Sequence, residues 1–250
     1  MQEALKACFN VSAPGPDYIT WQYLKVILAN NTCAVGILSL ANTCLSLHHW
    51  PRHFKEFVSV IIPKPDKPAY NTPKAFKPIV LLNTLDKLIE KMIARWLQFD
   101  AVKYGILHLN QLGGVAQQSI EDAGVFLTHL VWASWAKGLK TSIIAFDIAQ
   151  FFPSLNYSML ISILSHFGFA NCIVDFFSDY LVGRSTQYSW NSFLSGAYDA
   201  DVGVGQGSAL FPILSALYIA SLIRIFEHRA QALNLDTCIL SFVDDGLLIS

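Results

Sequence analysis

A chain of 250 residues, with 53% hydrophobic and only 14% charged residues, can bury a large core, which excludes an intrinsically disordered protein. Its five cysteines form no CxxC pair and their number is odd, so neither a zinc site nor a disulfide framework is predicted. The formal net charge of −1 hides an asymmetry: residues 1–145 carry 14 Lys and Arg against 9 Asp and Glu, whereas residues 146–250 carry 3 against 9. A basic front half beside an acidic back half suits a protein that holds a polyanion and divalent metal, although ordinary scatter of charges explains it equally well.

Two long uncharged stretches, at 26–50 and 202–223, need testing as membrane spans. The first contains several Asn and His residues, and the second opens with a Gly/Gln/Ser-rich turn and carries Pro212 within its apolar part. A span of roughly 20 predominantly apolar residues does not carry so many polar groups. Buried core helices are therefore predicted for both stretches, and no membrane partner is expected.

The first half of the chain is predicted to alternate between helix and strand. Its elements are a turn at 13–17, an apolar helical stretch to about 47, a strand at 57–62 and a Pro/Lys-rich loop at 63–78. In the clearest helix that follows, apolar side chains recur at helical spacing from 85 to 97, and Asn83 stands at the N-cap position. The opposite face carries Lys87, Lys91 and Arg95, which form either a solvated stripe or a surface for phosphates.

The second half begins after a Gly-rich loop at 113–114. Its predicted elements are a helix at about 120–137, an apolar strand at 141–146, a helix at about 157–166 and a closing hairpin over 238–250. Asp244, Asp245 and Gly246 separate the two apolar arms of this hairpin, and an Asp-Gly step between apolar runs is a strong turn signal. Helices and strands that alternate unevenly and end in a hairpin predict an α+β fold with a mainly antiparallel sheet.

Three carboxylates stand at the ends of these predicted core strands. Asp147 follows the apolar strand, and Asp244 and Asp245 lie at the tip of the hairpin. Carboxylates held together at the ends of buried strands are unfavourable unless something positive shares the site. Mg²⁺, which prefers a few carboxylate oxygens plus substrate phosphates, is the obvious candidate. For the hairpin considered alone, ordinary turn chemistry explains the Asp-Asp pair at least as well.

Motifs in a fixed order favour the metal site. Three segments resemble the palm motifs of reverse transcriptases: IAFDIAQFFPSLN at 144–156, GVGQGSALFPILSALYI at 203–219 and SFVDDGLLI at 241–249. Four more resemble the non-LTR (LINE-type) retrotransposon branch, and its fungal elements in particular: PGPDYI at 14–19, the stretch from IPKPDK to KPIVLLNTLDKLIEKMIARWL at 62–97, NQLGG at 110–114 and LVGRSTQYSWNSFLSG at 181–196.

The resemblance implies an α+β right-hand polymerase fold. A fingers-like region with palm-entry segments would occupy 1–140, and a palm with the catalytic motifs would occupy 141–250. The chain would be truncated after the Asp-Asp hairpin, with the thumb absent, and without the endonuclease domain that the family often carries in a longer polypeptide.

The implied activity is that of an RNA-directed DNA polymerase. Deoxynucleotides would be transferred onto a primer 3′-hydroxyl by two-metal phosphoryl transfer. The implied cofactor is Mg²⁺ or Mn²⁺, and the implied partners are an RNA template, a DNA primer and deoxynucleoside triphosphates. An intracellular and nuclear site of action follows only from the family.

The resemblance also assigns roles at the metal centre. Asp147 and Asp244 would be metal ligands, Asp245 would complete the acidic cluster, and the main-chain carbonyl of Ile148 would reach one metal. Phe152 matches the residue whose ring blocks a 2′-hydroxyl and so selects deoxynucleotides, with a core aromatic as the alternative.

Further residues match the nucleotide site. Gln206, Gly207 and Ser208 match the turn that lies against the incoming nucleotide and the template base, where glycine permits close backbone approach. Lys64 and Lys77 match the positions in the fingers that grip the triphosphate.

Departures from the family pattern keep a second hypothesis open. Lys77 stands where the family usually has Arg, and so lacks the bidentate fork, while Phe211 stands where Ser usually precedes the motif proline. At the hairpin, Phe242 and Val243 also depart from the usual residues. The alternative is a truncated, catalytically inactive retrotransposon remnant that at most binds nucleic acid.

Overall fold

The structure, a computed structural model, describes residues 1–115, 118–149, 151–200, 203 and 207–250. The helices are α1 (Gln2–Lys6), α2 (Trp21–Ala29), α3 (Asn31–Ser46), α4 (Thr84–Lys103), α5 (Ile120–Ala136), α6 (Phe151–Ser154), α7 (Tyr157–His166), α8 (Asn171–Leu181) and α9 (Phe211–Ala232). The strands are β1 (Glu56–Pro63), β2 (Phe76–Leu81), β3 (Ile143–Asp147), β4 (Ser185–Trp190), β5 (Phe193–Asp199), β6 (Cys238–Phe242) and β7 (Asp245–Ile249).

The chain divides into two compact units that interleave along the sequence. Unit 1 comprises Met1–Ile93 and Phe152–Ala209, and unit 2 comprises Ala94–Phe151 and Leu210–Ser250. Each unit contains its own sheet. The fingers-like region at 1–140 and the palm at 141–250 are functional assignments, and they stay a prediction.

Unit 1 is built around a four-stranded mixed sheet in the order β2-β1-β4-β5. β1 pairs antiparallel with β2 and parallel with β4, and β4 and β5 form an antiparallel hairpin. Along β1, Phe57 and Ser59 are buried, as period-2 alternation requires. Phe57 packs with Val80 and Leu82 in a buried cluster, which fixes β2 against β1.

The first uncharged stretch forms two helices that are broken at Asn30 and bent by 111°. The Asn30 side chain accepts hydrogen bonds from the N–H groups of Thr32 and Cys33 at 2.9 and 3.3 Å, and so caps α3. In α3 only Ala41 and Cys44 are buried. The prediction of a buried core helix is therefore wrong for α3, because apolar residues such as Val35 and Leu38 lie on its exposed side.

The clearest predicted helix is confirmed as α4. Asn83 directly precedes it, and the Asn83 Oδ1 accepts the N–H of Asp17 at 3.1 Å, which ties the N-terminal turn to the start of the helix. The basic stripe is not uniformly solvated. Lys91 donates to Cys8 Sγ at 3.0 Å and lies over the ring of Trp21, and burial lowers the pKa of Lys87.

Unit 2 contains a three-stranded antiparallel sheet in the order β3-β7-β6, with α5 and α9 packed against β6. All five residues of β3 are exposed, so the prediction of a buried strand ending in Asp147 is wrong. The helices α5 and α9 pack against β6 at the opposite edge of the sheet, whereas among the described residues β3 has extensive contact with β7 alone.

The second uncharged stretch yields α9, with ten buried residues. Among the described residues, α9 is the single continuous helix long and apolar enough to span a membrane by length and composition, and half of its apolar window is buried inside the protein. The prediction of a core helix is confirmed for α9.

Candidate active site

Asp147 and Asp245 are direct partners across two neighbouring strands. Asp147 ends β3, Asp245 begins β7, and the two are paired in the antiparallel register. Side chains at such positions have Cβ atoms about 4.5–5.5 Å apart. Beyond this pair, the N–H of Ile148 donates to the carbonyl oxygen of Asp244 at 3.1 Å. The end of β3 therefore runs beside the turn between β6 and β7. Asp147, Asp244 and Asp245 all lie at this end of the sheet.

The turn itself differs from the prediction. Phe242 pairs with Asp245, so Val243 and Asp244 form a two-residue turn, and Asp245 and Gly246 belong to β7. Val243 takes the left-handed conformation, with φ of 58°, as the first central residue of a primed hairpin turn must. A β-branched residue is strained there. The prediction of a turn at Asp244, Asp245 and Gly246 is wrong because Gly246 serves a packing role.

Gly246 is covered by the ring of Phe146, its partner across the β3–β7 pair. A Cβ atom on Gly246 would overlap the Phe146 ring. The glycine therefore lets the aromatic ring lie flat across the sheet beside the carboxylates. Phe146 precedes Asp147 directly, so this contact fixes the strand end that carries the first acidic residue.

The NQLGG motif supports the turn from the other side. The Leu112 N–H donates to the Ser241 carbonyl and the Ser241 N–H donates to the Asn110 carbonyl, both at 2.9 Å. This segment therefore runs alongside β6, and Gly113 reaches the backbone of Phe242 and Val243, where a Cβ atom would collide. The close approach explains the need for glycine here.

Behind the acidic turn, unit 2 has a small cleft with an apolar floor. Ile219 and Ile223 of α9 line it together with Ile148, Asp244 and Asp245. Because Ile219 and Ile223 are buried, α9 provides a firm base for the turn. The carboxylates thus stand at the rim of a rigid apolar layer.

The fit of a metal ion follows from the donor set. Among the described residues, no group of three or more His, Cys, Asp or Glu side chains is placed to hold a metal. Asp147 and Asp245 are exposed and Asp244 is half-buried. The Ile148 carbonyl accepts the N–H of Phe151 at 3.2 Å, which leaves it a second lone pair. Oxygen donors of this kind fit Mg²⁺, which is usually held by one or two carboxylates plus substrate phosphates rather than an all-protein cage.

In unit 1, Lys64 and Lys77 lie on one hairpin. Lys77 pairs with Ile62, and the Lys64 N–H donates to the carbonyl of Ala75 at 2.8 Å. Alternation along the two strands places Lys64 and Lys77 on the same face. Lys77 is exposed and Lys64 is half-buried. Lys64, directly after β1, and Lys77, near the start of β2, therefore lie at the same end of the β1–β2 pair.

The predicted nucleotide turn also belongs to unit 1. Gly207 has φ of 138°, and a Cβ atom there would overlap the carbonyl oxygen of Val80 on β2. Ser208 is buried, and its hydroxyl donates to Glu90 Oε2 at 2.6 Å. Gln206 lies outside the described residues. The described part of the turn is thus held between β2 and α4.

Glu90 is a residue that sequence reasoning missed. It lies beside the apolar face of α4, where a charged residue is ordinarily taken as solvated, yet it is 1% exposed. The available signal was that Asp86 and Glu90 stand four residues apart in α4, with Glu90 directly after the apolar Leu88 and Ile89. Periodicity alone cannot tell such a residue from a surface one.

The two aromatic residues of the first palm motif differ in their surroundings. Phe151 is buried and meets the ring of Tyr218 at 6.2 Å in an edge-on arrangement, so it is a core aromatic. Phe152 is half-buried. Its role as a selector of deoxynucleotides stays a prediction.

Comparisons with known proteins agree with the motifs. Residues 62–250 match the sequence model of the family described as "Reverse transcriptase (RNA-dependent DNA polymerase)". Among curated proteins, the chain is similar to the probable RNA-directed DNA polymerase from transposon BS of Drosophila melanogaster, with 26% identity over 221 residues. It is also similar to the corresponding protein from transposon X-element of the same fly, with 27% identity over 225 residues. These alignments cover 88% and 84% of this chain but only 24% and 23% of the relatives.

Solved structures show the fold. The chain is similar to apo telomerase from Candida tropicalis truncated from the C-terminal domain, with a TM-score of 0.58 and 14% identity over 79% of this chain and 44% of that one. It is also similar to telomerase from Candida albicans bound to a fragment of telomeric RNA, with a TM-score of 0.55 and 13% identity over 81% and 39%. The α+β right-hand polymerase fold is thereby confirmed. A fungal source stays a prediction.

Proposed function

Because the chain belongs to the reverse transcriptase (RNA-dependent DNA polymerase) family, as a domain of the non-LTR retrotransposon type, we propose that it copies RNA into DNA. In this reaction, deoxynucleotides are added one at a time to the 3′-hydroxyl of a primer, and pyrophosphate leaves. The chain spans about a quarter of the length of the curated relatives that it matches. The RNA template, the DNA primer, the deoxynucleoside triphosphates, an endonuclease domain elsewhere in a longer polypeptide and a nuclear site of action are all parts of the proposal.

The observation that carries the proposal is the pairing of Asp147 with Asp245, with Asp244 in the adjoining turn. Reverse transcriptases generally use divalent metals, and we assign Mg²⁺ or Mn²⁺ to Asp147, Asp244 and the Ile148 carbonyl. When bound, two such ions would activate the primer hydroxyl and neutralise charge that develops on the triphosphate. Asp245 adds negative charge that attracts the ions to the turn.

The other assigned residues act on the nucleotide. Lys64 and Lys77 present two positive charges from one hairpin face, which suits contact with a triphosphate. The turn of Gln206, Gly207 and Ser208 would bring backbone against the nucleotide and the template base. Phe152 would exclude the 2′-hydroxyl of a ribonucleotide by its bulk.

Primer extension tests this function. The chain is incubated with a DNA primer annealed to RNA, deoxynucleotides, and Mg²⁺ or Mn²⁺, and the products are sized. We expect extension that needs the RNA template and that disappears in Asp244→Ala, but persists in Asp236→Ala, since Asp236 is an exposed residue outside the site. The folded chain could instead bind the annealed primer and template, seen as a mobility shift in a gel, without extending the primer. That result would support the inactive remnant.

A further inference from the structure

The buried carboxylate of Glu90 accepts hydrogen bonds from three donors. Its Oε1 accepts the hydroxyl of Tyr180 at 2.6 Å. Its Oε2 accepts the hydroxyl of Ser208 at 2.6 Å and the backbone N–H of Ala209 at 2.8 Å. Hydrogen bonds to a charged acceptor in a buried place are about twice as strong as neutral ones. Glu90 therefore joins α4, α8 and the Ser208–Ala209 backbone at one point.

A buried positive charge accompanies this carboxylate. Arg184 is 3% exposed, and its guanidinium lies over the rings of Phe57 and Tyr180, at 5.2 and 5.0 Å from their centres. Burial acts to lower the pKa of Arg184, but Tyr180 and Glu90 act against burial, and the net effect is to raise it. Arg184 therefore offsets part of the unfavourable burial of the Glu90 charge.

The same turn is restrained on its opposite side by β2. A Cβ atom on Gly207 would overlap the carbonyl oxygen of Val80, so Gly207 packs directly on that strand. Val80 lies three residues beyond Lys77 on β2. Packing on β2 and the hydrogen bonds to Glu90 therefore hold the turn together.

We infer that Glu90 is a positioning residue for the incoming nucleotide, which it never touches. It fixes the turn of Gly207, Ser208 and Ala209 against β2 by accepting hydrogen bonds from a side chain and from the backbone. This inference rests on the proposed function, which places Gly207 and Ser208 at the nucleotide. Tyr180 donates a hydrogen bond to the other oxygen of the Glu90 carboxylate and so orients that group.

Two substitutions of Glu90 separate positioning from charge. Glu90→Met keeps the length of the side chain but removes every acceptor. Glu90→Gln removes the charge, keeps one acceptor oxygen and replaces the other with a donating NH2 group. We expect Glu90→Met to raise the KM for the deoxynucleotide about tenfold to a hundredfold, because nucleotide binding must then reorder a turn that Glu90 no longer holds. The kcat should change less than about threefold, and Glu90→Gln should fall between Glu90→Met and the parent. Glu121→Gln, at an exposed position on α5, is the matched control. We expect it to leave both KM and kcat unchanged.

A readout independent of activity is the exchange of the Ala209 amide hydrogen, followed by NMR. We expect faster exchange at Ala209 in both Glu90 variants, while amides of α8 keep their protection. A single Ser208→Ala change should couple with Glu90→Gln, so that the double variant is no worse than the more damaged single one.

Specific outcomes would overturn the inference. Unchanged KM and unchanged Ala209 exchange in a folded Glu90→Met protein would show that Glu90 does not hold the turn. A parallel loss of kcat and of melting temperature, with the KM unaltered, would show only a structural role. If Glu90→Met does not fold, the same criteria apply to Glu90→Gln. If the parent chain extends no primer, the proposed function fails, and Ala209 exchange alone decides whether Glu90 holds the turn.

Discussion

Gly113 lies directly against the backbone of Val243 in the turn between β6 and β7. A Cβ atom on Gly113 would overlap the Val243 nitrogen and would lie 2.7 Å from the carbonyl carbon of Phe242. The turn residue that follows is Asp244. The position of a proposed metal ligand thus depends on the absence of a side chain in a segment that is remote from it in sequence.

Replacement of Gly113 by Ala should therefore damage catalysis more than stability. The methyl group pushes the turn outward, and a displacement of about 1 Å at a reacting centre costs on the order of a hundredfold in rate. We expect a loss of kcat of about tenfold to a hundredfold in primer extension. Gly124→Ala on α5 is the matched control, because a Cβ atom there meets nothing within 4 Å. A Gly113→Ala protein with the parent rate would refute this dependence.

Lys77 offers a substitution that is expected to improve the protein. It is exposed on β2, and an Arg there gains a planar fork that binds phosphate oxygens in a bidentate manner. We expect Lys77→Arg to lower the KM for deoxynucleotides about threefold to tenfold, and Lys77→Ala to raise it by about tenfold. Lys74→Ala, an exposed lysine outside the strand, provides the comparison. Equal KM values for all three variants would remove Lys77 from the nucleotide site.

Phe152 is expected to control the choice of sugar. Its half-buried ring would occupy the space of a 2′-hydroxyl, so Phe152→Val should admit ribonucleotides. We expect the ratio of kcat/KM values for deoxynucleotide over ribonucleotide to fall by about tenfold to a hundredfold, as is typical when a pocket changes by a few methylene groups. Competition between the two substrates in one reaction measures this ratio. An unchanged ratio would favour a purely structural aromatic.

Asp86 is expected to make stability depend on pH. It is fully buried, both of its carboxylate oxygens are without a hydrogen-bond partner among the described residues, and burial, with the nearby Glu90 and Asp17, raises its pKa to about 8. Between its ordinary pKa of 3.8 and about 8, the folded state binds more protons than the unfolded state. Stability from this group is therefore full below pH 4 and falls by roughly 1.4 kcal/mol per pH unit up to about pH 8.

Asp86→Asn tests this expectation. The amide cannot ionise, so the variant should melt at a higher temperature than the parent at pH 8, and the difference should shrink toward pH 4. Thermal unfolding followed by circular dichroism at several pH values gives the comparison. A constant difference across this range would show that Asp86 does not titrate on unfolding.

Elements with strong local signals were predictable from the sequence. The helices found as α4, α5 and α7 and the strand β1 match the periodic segments, and the order of motifs identified the family. Local signals suffice in these cases because apolar spacing and capping residues act within one element. By contrast, α8 was not predicted, although its buried residues Ile173, Phe176, Phe177, Tyr180 and Leu181 recur at helical spacing. The hairpin of β4 and β5 entered only as part of the motif at 181–196.

Features that depend on distant partners were not predictable. The sequence predicts Gly246 as a turn residue, whereas the ring of Phe146 on the neighbouring strand is what requires a glycine there. The exposure of β3 arises because α5 and α9 pack against β6 at the other edge of the sheet, which the apolar composition of β3 cannot reveal. Glu90 was missed for the same reason, because Ser208 and Tyr180 reach it from far along the chain. The pattern of residues along one helix or strand indicates which of its faces is apolar. It does not indicate which residues of other helices and strands will contact that element.

The most direct test of the account is single-nucleotide incorporation in Mg²⁺ by Asp147→Asn and Asp244→Asn proteins. Asn keeps the shape of the side chain but removes the charge that a divalent ion needs. We predict that each variant loses at least about a thousandfold in rate, in keeping with the loss of a metal that carries the reaction. Asp245→Asn should lose less, and Asp236→Asn should match the parent. If Asp147→Asn and Asp244→Asn both retain rates within about tenfold of the parent, the carboxylates at the ends of β3 and β6 are not the catalytic centre.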